Sequence, residues 1–210
     1  MSNVSVRIYR IIKNEYVLLT LILLLGFTLR LYKVNSPLAD WHSWRQADTA
    51  SVTRIYIDEG LNIFFPRYYD ISSIQTGEFN PKGYRFVEFP IYNIFHYFLV
   101  KYINVFSLET WGRLLSSFCS LVTAVFLYLI AKKFINKWGG LLSAFYFLIL
   151  PYNIFFSRVI LPEPMAVMFV VIAIYFFVKF ITAFEKTPGF QPGDESNADI
   201  SSYFIGNPAL

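Results

Sequence analysis

At 210 residues, with 56% hydrophobic, 20% aromatic and only 15% charged side chains, the chain has too little polar surface to cover a water-soluble globule. Its formal charge of +4 sits mainly on short segments beside apolar runs, which reads as topology signalling and attraction for phosphate and argues against nucleic acid as a partner. The single cysteine, Cys119, lies inside an apolar run, so a disulfide framework and a cysteine-ligated metal site are excluded and the residue reads as small and buried.

The pattern predicts an all-α membrane protein of about four transmembrane helices with a large first external loop. Residues 1–15 carry Arg7, Arg10 and Lys13, which places them in the cytoplasm ahead of a first span at 16–34. A cleaved signal peptide competes for the uncharged core of that span, but no small-x-small cleavage site follows. The external loop, 35–111, opens on the polar stretch Ala39-Asp40-Trp41-His42-Ser43-Trp44-Arg45-Gln46-Ala47-Asp48-Thr49-Ala50. Residues 49–57 continue as a short helix that Asp58-Glu59-Gly60 stops, and 75–83 carry turn chemistry.

In 89–106, Ile91, Ile94, Phe95, Phe98, Leu99 and Tyr102 recur at helical spacing, with Asn93, His96, Lys101 and Asn104 on the other side. This predicts a juxtamembrane amphipathic helix lying in the interface, with His96 solvated. Three further spans follow at 112–134, 139–157 and 164–183, with a second external loop at 158–163 and a polar tail at 184–210. Lys132, Lys133 and Lys137 then face the cytoplasm, as the charge rule prefers. Counting 89–106 as a fifth span would put those lysines outside and Glu163 on the opposite face from Asp48.

Three acids therefore fall on the outer side, each opening or closing an apolar element: Asp48, Glu88 and Glu163. Convergence at a membrane-level cavity would let one act as a general base. Arg45, Arg85 and Arg158 lie at the same level and suit phosphate. From spacing alone, interfacial salt bridges and helix caps account for the same residues. His42 is expected to make a structural hydrogen bond near Asp48, and Trp41, Trp44, Tyr68 and Tyr69 to form an interfacial aromatic belt.

The ordered segments Arg45-Gln46-Ala47-Asp48-Thr49-Ala50, Glu88-Phe89-Pro90-Ile91-Tyr92, Gly112-Arg113-Leu114-Leu115-Ser116 and Arg158-Val159-Ile160-Leu161-Pro162-Glu163-Pro164 resemble the amino-terminal part of GT-C glycosyltransferases. The similarity is to bacterial members related to protein O-mannosyltransferases and the lipid A aminoarabinose transferase. It implies a multi-pass enzyme of the bacterial plasma (inner) membrane with its active-site loops periplasmic or extracellular. Such an enzyme takes a sugar from a polyprenyl-phosphate carrier and passes it to a lipid, glycan or protein acceptor.

By the resemblance, Asp48 matches the family's catalytic base or cation ligand. Glu88 matches the acid before the proline-containing juxtamembrane helix, and Glu163 the acid of the second loop. The implied cofactor is a divalent cation (Mg, Mn or Zn) with Asp48 and Glu163 as ligands. Asp48-Thr49 stands where relatives carry an Asp-Glu pair and Glu88-Phe89-Pro90 where they carry a lysine-proline form, so a lysine phosphate contact is not carried over, and Arg85 is the residue that could substitute. Expected partners are the polyprenyl-phosphate-sugar donor, membrane lipid and, because the resembled enzymes are longer, the rest of a split or longer transferase. The alternative is a non-catalytic membrane protein that binds polyprenyl phosphate or a partner transferase. A small transporter fits less well, since the spans hold few ionisable groups.

Overall fold

The structure, a computed structural model, describes residues 14–38, 42–72 and 77–184. Arg7, Arg10, Lys13, Trp41, Gln75 and the polar tail from 185 onward lie outside the described residues. Seven helices run through the described residues: α1 (Glu15–Arg30), α2 (Ser43–Glu59), α3 (Ile91–Tyr102), α4 (Leu108–Phe134), α5 (Lys137–Ile149), α6 (Pro151–Ser157) and α7 (Glu163–Phe184). One isolated antiparallel bridge, Arg67 to Tyr84, closes the excursion between α2 and α3. The class is all-α, as the sequence predicts.

Local chemistry accounts for the boundaries. Side chains of Asn14, Ser107 and Asn136 accept hydrogen bonds from the first free backbone N–H groups of α1, α4 and α5. Gly60 stops α2 at φ 101°, a conformation that side-chain-bearing residues rarely adopt. Helix α1 ends at Arg30, short of the predicted 34, and the chain then turns through Lys33 at φ 55°. By length and composition, α4 and α7 are the described helices able to cross a membrane alone. The predicted span at 139–157 is two helices bent by 63°, apolar enough together to count as one broken span, because Pro151 at the start of α6 has no N–H to continue the α5 ladder.

The chain divides into two compact units after Ala173. In the first unit, α4 packs most extensively on α5, and both contact α1. One apolar cluster, with Leu19, Tyr128, Leu141 and Leu148, joins these three helices. A second joins α2, α3, α4 and the segment before α7 through Ala50, Tyr92, Leu115, Cys119 and Ile160. Cys119 is buried as predicted. The described part of the second unit is the rest of α7, where exposed Lys179 lies 5.7 Å from the Tyr175 ring.

Close approach around α4 depends on small residues. A Cβ added to Gly112 would lie 2.9 Å from His96 Cε1 and 3.0 Å from two Ile160 carbons. Gly112→Ala is therefore expected to cost about 1–3 kcal/mol by overpacking, read as a lower unfolding temperature in micelles. An unchanged melting curve would show that this junction yields at no cost.

Helix α3 forms where the apolar period places it, with its polarity turned around. Tyr92, Asn93, His96 and Tyr97 are buried against the protein, while Ile91, Phe95, Phe98 and Tyr102 point outward. His96, expected to be solvated, is fully buried. Asn93 Nδ2 donates to the Thr49 carbonyl at 2.7 Å and to Thr53 Oγ1 at 3.1 Å. His96 Nε2 lies 2.8 Å from the Leu108 carbonyl, which only accepts, so Nε2 carries the proton and Nδ1 accepts from Thr53 Oγ1 at 3.1 Å. The polar stripe is the clamp of α2 to α3 and α4, and the apolar stripe is free to face lipid.

Burial pushes the His96 pKa down to about 4, against an ordinary 6.5, outweighing the Leu108 hydrogen bond. Between these values the unfolded chain binds the proton and the folded one does not, so stability falls as pH is lowered from about 6.5 to 4. His96→Gln is expected to flatten that segment of the stability–pH curve. A curve of the same slope in the variant would assign the dependence to other groups.

Candidate functional site

Helix α2 sets the first part of the site. Its start follows His42, held in the left-handed region at φ 54° with its ring 5.6 Å from that of Phe156. Arg45 and Asp48, three residues apart, share one face of its first turns. Arg85 comes from the far arm of the bridged excursion, where its N–H bonds to the Pro66 carbonyl at 2.8 Å. The guanidinium lies 5.3 Å from the Tyr68 ring and is 4% exposed. Glu88 precedes α3, and Glu163 opens α7, where the helix dipole favours an anion.

These five side chains form one alternating chain of charge. Asp48 Oδ2 accepts from Arg85 Nη1 at 3.2 Å, and Arg85 Nη2 lies 3.5 Å from Glu88 Oε1. Glu88 Oε2 accepts from Arg45 Nη2 at 3.2 Å, and the same nitrogen reaches Glu163 Oε1 at 2.9 Å. Three acids against two arginines leave a formal surplus of one negative charge. Burial lowers the Arg45 pKa, but the carboxylates of Glu163 and Glu88 more than offset it and the net direction is up.

Other expected residues are placed differently. Arg158 stands apart from this chain: it donates to the Tyr32 carbonyl at 3.0 Å and lies over the Tyr32 and Phe155 rings. Tyr68 is buried beneath Arg85 and is no part of an aromatic belt, whereas Trp44 and Tyr69 are exposed. Among the described residues, no group of three His, Cys, Asp or Glu side chains is placed to hold a metal ion. In the chain of ion pairs Asp48 and Glu163 are linked through Arg85, Glu88 and Arg45.

Sequence reasoning missed the residues that hold the site in place. Buried Arg113 donates to the carbonyls of Val34, Ser36 and Pro37, fastening the link after α1 to α4. Gln46 Oε1 accepts the Ile160 N–H at 3.2 Å and ties the second loop to α2. The Tyr92 hydroxyl donates to the Gly112 carbonyl at 2.7 Å. An arginine inside an apolar helix was the available signal for Arg113.

The Arg45–Glu163 end of the charge chain borders a cavity of about 500 Å³. His42 and Trp44 share that border, while Phe147, Tyr152, Phe156 and Val167 make much of the remaining wall apolar. Ser120, Thr123, Asn153 and Ser157 add neutral polar groups. Asp48 is not among the lining residues.

Two helices of membrane length, one of them opening on Glu163 of a charged site that borders a cavity, define a helical membrane protein. The family model described as dolichyl-phosphate-mannose-protein mannosyltransferase matches residues 86–192, just over half of the chain, and the chain belongs to that membrane-embedded GT-C family. It is a glycosyltransferase of the mannosyltransferase kind. The matched segment includes Glu88 and Glu163, while Arg45, Asp48 and Arg85 precede it. Neither the curated proteins nor the solved structures include a match to this chain.

Proposed function

We propose that this protein transfers a sugar from a polyprenyl-phosphate carrier to an acceptor hydroxyl at the outer face of a bacterial plasma membrane. The reading rests on one observation above all: Asp48, Arg85, Glu88, Arg45 and Glu163, from three separate stretches of sequence, meet in one chain of ion pairs beside a largely apolar cavity. The family match supports the reaction class.

In this reading Asp48 accepts the proton of the acceptor hydroxyl as its oxygen attacks the anomeric carbon. The bond from that carbon to the phosphate oxygen breaks, and the polyprenyl phosphate leaves with the electron pair. Arg85, itself fixed by Glu88 and the Tyr68 ring, orients the base. Glu163 and Arg45 face the donor end from the cavity border. The cavity's aromatic and aliphatic wall suits an isoprenoid tail.

The test is a transfer assay on the full-length protein in liposomes, with polyprenyl-phosphate-linked mannose labelled in the sugar. Label entering an acceptor together with release of polyprenyl phosphate is the expected outcome. Tight binding of polyprenyl phosphate without transfer would replace the enzyme reading with that of a lipid-binding partner protein.

A further inference from the structure

Arg30 closes α1 and is 1% exposed. Its hydrogen bonds all go to neutral acceptors: Nε donates to Ser157 Oγ at 2.7 Å, and Nη1 to the carbonyls of Gly26 at 2.8 Å and Leu148 at 3.1 Å. Nη2 has no hydrogen-bond partner, and no carboxylate pairs with this guanidinium among the described residues. A cation buried in this way at membrane level is costly unless an anion compensates it.

The place where an anion fits is next to it. Ser157, which accepts from Arg30, lines the cavity that Arg45 and Glu163 border. The bordering Arg45 does not supply a free positive charge, since Glu88 and Glu163 both hold it, and Arg85 is likewise held by Asp48 and Glu88. The cavity therefore has an ion-paired border at one part of its wall and, behind another, a guanidinium that no carboxylate among the described residues pairs. In a site of low dielectric that charge acts through Ser157, which touches the guanidinium and lines the cavity.

We infer that Arg30, acting through Ser157, supplies the counter-charge for the phosphate of a lipid held in this cavity, in place of Arg45 and Arg85. The inference rests on the donor reading above and moves its phosphate to a residue that the sequence pattern did not single out. Arg30 is a positioning and charge-balancing residue and takes no part in proton transfer.

The experiment measures binding of polyprenyl phosphate and of the polyprenol with the same tail to the purified full-length protein in micelles. Wild type is expected to prefer the phosphate by about tenfold or more. Arg30→Gln should bring that ratio close to one with polyprenol affinity unchanged, and Arg30→Lys should retain part of it. Because Arg30 also ties α1 to α5 and α6, a second variant guards against misfolding: Ser157→Asp gives the guanidinium a carboxylate in place of the hydroxyl. Its phosphate preference should fall in the same way.

Competition by phosphatidylglycerol would identify a bilayer phosphate as a second source of the same chemistry, and competition by inorganic phosphate would show that the anion is recognised without its tail. Either result leaves Arg30 as the counter-charge provided the variants lose the preference. A preference that survives both Arg30→Gln and Ser157→Asp, or that is lost in Arg45→Gln alone, overturns the inference and leaves the donor reading standing. A wild-type protein that does not distinguish phosphate from alcohol overturns both.

Discussion

Asp48→Asn is expected to lower sugar transfer by about 10²–10⁴-fold, the usual contribution of a positioned general base. The substitution keeps the shape of the side chain and an oxygen able to accept from Arg85, while removing the basicity that proton transfer needs. Arg85 also retains Glu88, so the unfolding temperature should shift little. Glu88→Gln and Glu163→Gln make the comparison specific: both weaken the hold on Arg45, but neither removes the proposed base. Initial rates at saturating donor in full-length protein are the measurement. Turnover unchanged in Asp48→Asn would end the assignment, and a larger loss in Glu163→Gln would move the base to the cavity border.

Arg85→Gln is expected to damage stability and activity together. Its guanidinium is nearly inaccessible and pairs with both Asp48 and Glu88, so its removal takes a buried counter-charge from both carboxylates, Glu88 keeping Arg45. Breaking a buried pair by deleting one partner costs roughly 3–5 kcal/mol. Asp48 and Glu88 keep some contact with solvent, which places the expectation near the lower end, about 3 kcal/mol. Unfolding of purified protein in micelles reads this directly, and a loss below about 1 kcal/mol would show that Arg85 does not hold the pair together. The double variant Asp48→Asn/Arg85→Gln should be less destabilised than the sum of the two single changes, since a neutral residue at 48 no longer needs the cation. Additive losses would mean that Arg85 acts chiefly through its contact with Tyr68.

Much of the helical frame was legible from one-dimensional signals. Asn14, Ser107 and Asn136 accept from the first free N–H groups of α1, α4 and α5, and Gly60 ends α2, each a short-range effect written within a few residues. Apolar length predicts α4 and α7 closely, since length and composition are local sums. The break at Pro151 was equally local, a missing donor inside an apolar run, and was read through because the run continued on both sides of it. Arg45, Asp48, Arg85, Glu88 and Glu163 carried a chemical signal as charges placed at the ends of apolar segments. Their pairing order, and the exclusion of Arg158 from it, were not legible.

The sequence by itself determined that the chain is all-α, where α4 and α7 run, and which residues stand on opposite stripes of α3. Those properties follow from backbone capping and from the helical repeat, which involve only near neighbours. Only the tertiary structure decided which stripe of α3 turns inward. A period defines two faces but not the medium that each meets; with protein on one side, buried Asn93 and His96 find Thr49, Thr53 and Leu108 as partners while the aromatic stripe stays outside. It also decided that Asp48 pairs with Arg85, Glu163 with Arg45, and buried Arg30 with no acid among the described residues. Ion pairing depends on a few ångströms of separation between side chains 37 to 118 positions apart in sequence, a distance that only the packing of α2, the bridged excursion and α7 can set.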